Sequence, residues 1–131
     1  MGPLAMNERQ RILVVDADRD MRGLLNRTLK VEGFDTVFAG DADPEMALLD
    51  SRPDLVIIDT TIPAIEVFEI LDHLRQLSSV PIIILSNEYA LETLSTALSR
   101  GADDFIRKPF GTRSFVARVR AKLRRTQRQR I

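Results

Sequence analysis

The chain has 131 residues, which suits one domain of ordinary size and is too short for two. It is 44% hydrophobic and 29% charged, so it can bury a core. The absence of cysteine excludes disulfides, thiol nucleophiles and thiolate zinc sites, and a single histidine disfavours a His-rich metal site. The apolar runs are too short to span a bilayer and no export signal is visible, so we expect a cytoplasmic protein without membrane contact.

Five short apolar runs recur along the chain and predict strands. Three of them are continuously apolar and β-branched at their centres, which is typical of strands covered on both faces. The second run is more polar and predicts an edge strand. The runs are 11-RILVVD-16, 34-FDTVFA-39, 54-DLVIID-59, 80-VPIIIL-85 and 103-DDFIRK-108.

Amphipathic stretches lie between and after these runs and predict five helices. Asp18 is expected to cap the first helix, and Asp43-Pro44 to open a short second helix over about 44–51. Gly101 is expected to close the fourth helix. The apolar stripes of the last three helices are Val67, Ile70, Leu71, Leu74 and Leu77; Leu91, Leu94 and Leu98; and Phe115, Val119 and Leu123.

This alternation predicts a (βα)5 fold, a doubly wound five-stranded parallel sheet with right-handed crossovers and helices on both faces. Residues 1–9 are expected to form a tail outside the fold, with 1–5 a vector-derived remnant. Residues 10–125 are expected to form the domain. Residues 126–131 are expected to begin a linker to a further domain.

The charge is unevenly distributed along the chain. Residues 112–131 hold eight Arg or Lys and no acid, so the remainder, with 11 basic and 19 acidic residues, carries −8. Cations also suit a helix C-terminus, and the segment lacks aromatic residues after Phe115. We therefore expect a solvated helix end and no direct binding of DNA by this domain.

Polar residues end or directly follow four of the predicted strands, at the edge where an open parallel sheet binds ligands. A group of carboxylates attracts a hard cation such as Mg2+, and a carboxylate beside it can attack a phosphoryl group. A lysine and a hydroxyl can hold the phosphoryl oxygens. These residues are Asp16, Asp18, Asp59, Ser86 and Lys108.

Over about residues 10–125 the chain resembles the receiver domain of two-component response regulators. The resemblance is carried by 12-ILVVDAD-18, 53-PDLVIIDTTIP-63, 81-PIIILS-86 and 101-GADDFIRKPF-110. The ending 113-RSFVARVRAKLRR-125 is most similar to receivers of winged-helix transcription factors. The resemblance implies a flavodoxin-like fold and a signalling switch rather than an enzyme. Such a domain at most promotes its own phosphotransfer and dephosphorylation.

The resemblance also implies roles for individual residues. Asp59 matches the phosphoacceptor, and Ser86, Lys108 and Phe105 match residues that bind the phosphoryl group or switch with it. The matched metal ligands are Asp16, Asp59 and the backbone carbonyl of Thr61. Pro109 matches a position where a cis peptide bond is usual.

The acidic pocket is atypical. The family has a second acid directly after Asp16, and this chain has Ala17, which cannot coordinate a metal. We therefore expect Mg2+ binding to be weak or absent, with Asp18 as a candidate substitute ligand. The domain is then expected to act partly or wholly without phosphate.

Partners also follow from the resemblance. A sensor histidine kinase would phosphorylate the domain, and the following domain would bind DNA. A homodimer would form through the fourth helix, fifth strand and fifth helix, with Asp104, Arg118 and Arg125 at the interface. Ser114 stands where that subfamily usually has Glu.

Two alternatives remain from the residues alone. The tripeptide 16-DAD-18 fits the Asp-x-Asp of a haloacid-dehalogenase-like phosphatase using Asp16 and Asp18, although Arg19 and Asp20 replace the usual Thr and Gly. A flavodoxin-like mononucleotide binder is disfavoured because the acidic turn after the first strand would repel phosphate.

Overall fold

The computed structural model describes residues 9–39, 43–60, 64–87 and 90–130. For residues 64–65 and 126–130 it describes the backbone only. Strands and helices alternate through these residues. They are β1 (Arg11–Val15), α1 (Arg19–Val31), β2 (Asp35–Phe38), α2 (Pro44–Ser51), β3 (Leu55–Thr60), α3 (Ala64–Leu77), β4 (Ile82–Ser86), α4 (Leu91–Ser99), β5 (Asp104–Arg107) and α5 (Thr112–Arg130).

The five strands form one parallel sheet in the order β2-β1-β3-β4-β5. This confirms the predicted (βα)5 fold and places β2 at an edge. The strand order reverses between the neighbouring strands β1 and β3. From β1 the chain proceeds to β2 at one edge, and from β3 it proceeds through β4 to β5 at the other edge. The carboxyl ends of these two strands therefore flank the cleft where such sheets bind ligands.

Each face of the sheet carries its own buried core, because alternate strand residues point to opposite faces. Leu13 and Val56 face the side covered by α2, α3 and α4, whereas Ile12 and Ile57 face α1 and α5. The third strand is buried along its whole length. Burial on both faces explains why the central strands are continuously apolar.

Helix boundaries follow the capping residues predicted from the sequence. The Asp18 side chain accepts a hydrogen bond from the Met21 N–H at 2.8 Å. The Asp43 side chain accepts one from the Glu45 N–H at 2.9 Å. Pro44 opens α2. Gly101 ends the turn after α4 with a φ of 114°, a conformation that glycine adopts without strain.

Two predicted apolar stripes are only partly buried. Leu77 at the end of α3 and Leu91 and Leu98 on α4 are exposed, and Ala97 is the buried residue of α4. The stripe on α5 is buried as predicted, through Phe115, Val119 and Leu123. A leucine repeat alone does not distinguish a helix face that meets the core from one that meets solvent.

The structure describes only part of the two chain ends, so the predicted boundaries of the domain stay predictions. Residues 1–8 lie outside the described residues, and Arg9 lies 4.0 Å from a carboxylate oxygen of Asp35. Helix α5 continues to Arg130, so the backbone of 126–130 is helical. The assignment of these residues to a linker stays a prediction. No described helix is long and apolar enough to cross a membrane.

Candidate functional site: the carboxyl edge of the sheet

Asp59 lies at the centre of the carboxyl edge. It is the penultimate residue of β3, pairs in register with Leu85 of β4, and has no exposed surface. The neighbouring pair in this register is Thr60 and Ser86, which places the Ser86 side chain beside the same edge. Ser86 is also buried.

Lys108 reaches Asp59 from the end of β5. The Lys108 Nζ donates to Asp59 Oδ1 at 2.5 Å, and its side chain is only 11% exposed. The Lys108 N–H also donates to the Ser86 carbonyl oxygen at 2.8 Å, which fixes the end of β5 against β4. The Lys108–Pro109 peptide bond is cis, as the sequence resemblance implied.

The second oxygen of the Asp59 carboxylate has a different environment. Asp59 Oδ2 is buried and has no hydrogen-bond partner among the described residues. A buried carboxylate oxygen without a partner is costly, so it marks a position where a cation or a reacting group completes the site.

Asp16 lies at the end of β1, beside Asp59 across the reversal of strand order. Burial raises the pKa of the Asp16 carboxyl above its ordinary value of 3.8, and repulsion by Asp59 raises it further. Asp16 also has a φ of 61°, in the left-handed region that aspartate tolerates better than most residues. The two carboxylates therefore share one negatively charged cleft.

The other residues of the first loop make contacts of their own. The Ala17 methyl group packs against the core on the α1 and α5 side. Asp18 uses one carboxylate oxygen to cap α1. Among the described residues, no group of three or more His, Cys, Asp or Glu side chains could hold a metal ion. Thr61, the predicted carbonyl ligand, lies outside the described residues.

Two carboxylates still fit a hard cation. Magnesium sites commonly use one or two carboxylates and retain several waters. The unpartnered Asp59 Oδ2 and the neighbouring Asp16 provide these two carboxylates. The side chain of Ala17 provides no third carboxylate.

Phe105 and the proposed dimer residues lie on the adjacent face. Phe105 is half-buried and lines a groove of about 470 Å3 together with Leu91, Leu94 and Arg118. Asp104 Oδ2 lies 3.4 Å from Arg118 Nε of the same chain, and Asp104 Oδ1 accepts a hydrogen bond from the Phe105 N–H. Arg125 is exposed on α5. Asp104 and Arg118 therefore lie together on this face, and Arg125 follows Arg118 on α5 by about two helical turns.

Comparison with known proteins identifies the family. The model of the response regulator receiver domain matches residues 12–120. The chain belongs to the response regulator receiver family. This finding leaves the alternative interpretation as a haloacid-dehalogenase-like phosphatase without support.

Several relatives are named as DNA-binding or transcriptional regulators. The chain is 42% identical over 120 residues to the DNA-binding response regulator MtrA of Mycolicibacterium smegmatis, covering 91% of this chain and 53% of that protein. It is 39% identical over 116 residues to the transcriptional regulatory protein CpxR of Escherichia coli, covering 88% of this chain and 50% of that protein. The chain thus spans about half the length of these relatives.

Solved structures show the same fold. A CheY-like receiver domain protein from Methanospirillum hungatei matches 93% of this chain and 99% of its own length, with 25% identity and a TM-score of 0.80. NtrX from Brucella abortus matches 94% of this chain and 29% of its own length, with 29% identity and a TM-score of 0.80. These structures confirm the receiver fold.

Sequence reasoning found the edge residues but did not single out Arg75. Its guanidinium group holds the opposite edge of the sheet together through the Gly101 and Val80 carbonyls and the Asp103 carboxylate. Asp103 is the first residue of the fifth apolar run in the sequence. Its position directly before β5 was the available signal.

Proposed function

We propose that this domain receives a phosphoryl group on Asp59 and passes the signal to a DNA-binding effector domain. The observation that supports this most is the Asp59 carboxylate. One oxygen is held by Lys108, and the other is buried, unpartnered and located at the reversal of strand order. A structural aspartate would be fully hydrogen-bonded at this depth.

The chemistry is a direct phosphoryl transfer. A carboxylate oxygen of Asp59 forms a new bond to phosphorus, and the bond from phosphorus to the donor atom breaks, leaving an acyl phosphate. Lys108 orients the carboxylate beforehand and then faces the added negative charge. The Ser86 hydroxyl would donate a hydrogen bond to a phosphoryl oxygen.

A magnesium ion would be held by Asp16, Asp59 and the Thr61 carbonyl. When bound, Mg2+ supplies positive charge between the carboxylates and the phosphoryl oxygens. Because Ala17 adds no carboxylate, we propose that this binding is weak and that the domain acts partly without phosphate. Asp18 is the substitute ligand available in the same loop, at the expense of its cap on α1.

The output surface that we propose is the face of α4, β5 and α5. Phe105 connects it to the pocket, since it lies three residues before Lys108 in the chain and lines the groove on this face. A homodimer through this face would bring Asp104, Arg118 and Arg125 to the interface.

The proposed partners follow from the family and its relatives. A sensor histidine kinase supplies the phosphoryl group in the cytoplasm, and a domain that follows residue 131 contacts DNA. MtrA and CpxR support the role in DNA binding, since they are named as a DNA-binding response regulator and a transcriptional regulatory protein.

Acetyl phosphate with Mg2+ tests the phosphoacceptor. We expect the parent chain to gain the mass of one phosphoryl group, which hydroxylamine removes, and Asp59→Asn to gain none. Asp50→Asn, an exposed carboxylate on α2, is the matched control and should behave like the parent. Equal incorporation by Asp59→Asn would exclude this assignment.

Sedimentation tests the dimer face. We expect Arg118→Glu to shift the balance toward monomer at low salt, with a smaller shift at high salt because ions screen exposed charges. Arg22→Glu, an exposed arginine on α1, is the control. An unchanged balance in Arg118→Glu would exclude this face.

A further inference from the structure

A second groove lies between α1 and α5, and none of the residues that line it belongs to the carboxyl-edge site. Its volume is about 530 Å3, within the range of sites that hold small organic molecules. Its apolar surface comes from Val31, which is 83% exposed at the end of α1, and from Val116 and Ala117 of α5. We name it the α1–α5 groove.

One arginine that lines the α1–α5 groove is already paired within the chain. Arg120 Nη2 donates to the Glu32 carboxylate at 2.8 Å and to the Glu32 backbone carbonyl at 3.2 Å. The Arg120 guanidinium carbon also lies 5.2 Å from the centre of the Phe34 ring. Glu32, the acid that lines the groove, is therefore not available to the other cations there.

Two further arginines line the groove without a carboxylate partner. Among the described residues, neither Arg27 of α1 nor Arg113 of α5 forms an ion pair. Arg27 Nη1 lies 3.2 Å from the position that a Cβ would occupy on Gly23, so the missing side chain gives the guanidinium group its space. Because a guanidinium group binds a carboxylate or phosphate through two parallel hydrogen bonds, this pair of arginines fits an anion.

The start of α5 adds positive charge to the same groove. The helix begins at Thr112, its second residue is Arg113, and its first turn contains no acidic residue. A helix N-terminus carries a partial positive charge, so an arginine is unfavourable there. An anion in the groove offsets this repulsion, whereas a neutral molecule or a cation does not.

We propose that the α1–α5 groove binds a small organic anion with an apolar body, such as a medium-chain carboxylate. Arg27 and Arg113 bind the acidic group, and Val31 and Val116 contact the apolar body. Charge complementarity selects the anion over a neutral or cationic molecule of similar shape. The site stands on its own residues and does not rest on the proposed phosphoryl transfer.

Titration of octanoate into the isotope-labelled chain, followed by NMR, tests the site. We expect saturable shifts that are largest at the amides of Thr28, Val31 and Val116. Octyltrimethylammonium has a similar chain with the opposite charge, and acetate has the charge without the chain, so each should bind at least about tenfold more weakly. Equal binding of octyltrimethylammonium, or shifts centred elsewhere in the chain, would overturn the proposal.

Variants at exposed positions separate the groove from the rest of the surface. Arg27→Gln and Arg113→Gln should each weaken octanoate binding about fivefold, because each loses a charged two-pronged donor. Arg22→Gln, an exposed arginine on α1 outside the groove, is the matched control and should bind like the parent. Unchanged affinity in both groove variants would contradict the site.

Asp59→Asn distinguishes this site from the carboxyl edge. We expect it to bind octanoate like the parent, whether or not Asp59 accepts a phosphoryl group. A loss of binding in Asp59→Asn would locate the anion at the carboxyl edge and overturn the proposal.

Two other occupants of the groove give different results in the same assays. Without octanoate, we expect the amide shifts of Thr28 and Val31 to be independent of protein concentration. We also expect the parent and Arg27→Gln to sediment equally with vesicles of phosphatidylglycerol. Concentration-dependent shifts would assign the groove to a second copy of the chain, and weaker sedimentation of Arg27→Gln would assign it to a lipid surface. Either result would overturn the assignment to a small molecule.

Discussion

The two edges of the sheet each contain a cationic side chain paired with a carboxylate, and the two pairs differ in how completely they are satisfied. At the amino edge, Arg75 donates to carbonyl oxygens and to Asp103, whose Oδ2 accepts from both Arg75 and the Ile82 N–H. At the carboxyl edge, Lys108 satisfies one oxygen of Asp59 and leaves the other without a partner among the described residues.

This difference separates a structural pair from a reactive one. A network in which each group has partners stabilises the fold and gains nothing from a ligand. A fully buried carboxylate with an unpartnered oxygen lowers its energy when a cation or a phosphoryl group arrives. The amino edge therefore holds loops together, and the carboxyl edge is the site of chemistry.

The largest expected effect comes from breaking the amino edge. Arg75→Ala removes bonds to three carbonyls and leaves Asp103 without its cation, so we expect the free energy of unfolding to fall by about 3 kcal/mol. Urea denaturation measures this, with Arg22→Ala as a control that should change by less than about 0.5 kcal/mol. A loss no larger than the control's would show that the amino edge is not a stabilising network.

A smaller effect is expected from adding a carboxylate to the carboxyl edge. Ala17→Asp supplies another anionic oxygen ligand, and we expect about tenfold tighter Mg2+ binding and faster phosphorylation by acetyl phosphate. The Ala17 methyl packs against the core, so some stability should be lost. Titration of Mg2+ against both proteins measures the gain. If the parent already binds as tightly, Asp18 or water has replaced the missing ligand.

The smallest effect concerns the charge of Asp16. Its pKa is raised above 3.8 by burial and by Asp59, so the folded chain binds this proton more tightly than the unfolded chain. Stability is therefore lost as the pH rises above 3.8 through the folded-state pKa. Without Mg2+, Asp16→Asn should be more stable at neutral pH by less than about 1 kcal/mol, since solvent screens the exposed part of the carboxylate.

The pH dependence of the stability gained by Asp16→Asn tests this direction of the Asp16 pKa. The difference in urea midpoint between Asp16→Asn and the parent should shrink as the pH falls toward 3.8, where the parent carboxyl becomes protonated. A gain that grows on acidification would contradict the direction of the Asp16 pKa.

The sequence predicted the sheet well because its central strands are buried on both faces and therefore read as continuous apolar runs. Asp16, Asp59, Ser86 and Lys108 were found because strand ends in a parallel sheet converge on one edge, a rule that needs no knowledge of side-chain geometry. The caps at Asp18 and Asp43 were found because capping is local in the chain.

Contacts between distant segments could not be predicted in the same way. Arg75 and Gly101 are 26 residues apart, and nothing near Arg75 in the sequence indicates that it bonds the loop before β5. Leu91 and Leu98 resembled core positions, and their exposure follows from how α4 is oriented on the sheet. The pairing of Asp104 with Arg118 within one chain is likewise a result of tertiary packing.

Chemical localisation of the phosphoryl group tests the central claim most directly. Borohydride reduces an acyl phosphate to the alcohol, so the modified aspartate becomes homoserine and can be located by mass spectrometry of peptides. After treatment with acetyl phosphate and Mg2+, we predict homoserine at position 59 and unmodified aspartate at position 103. Homoserine at Asp103 or Asp16, or phosphorylated protein without homoserine at position 59, would contradict the assignment of the reactive carboxylate to the carboxyl edge.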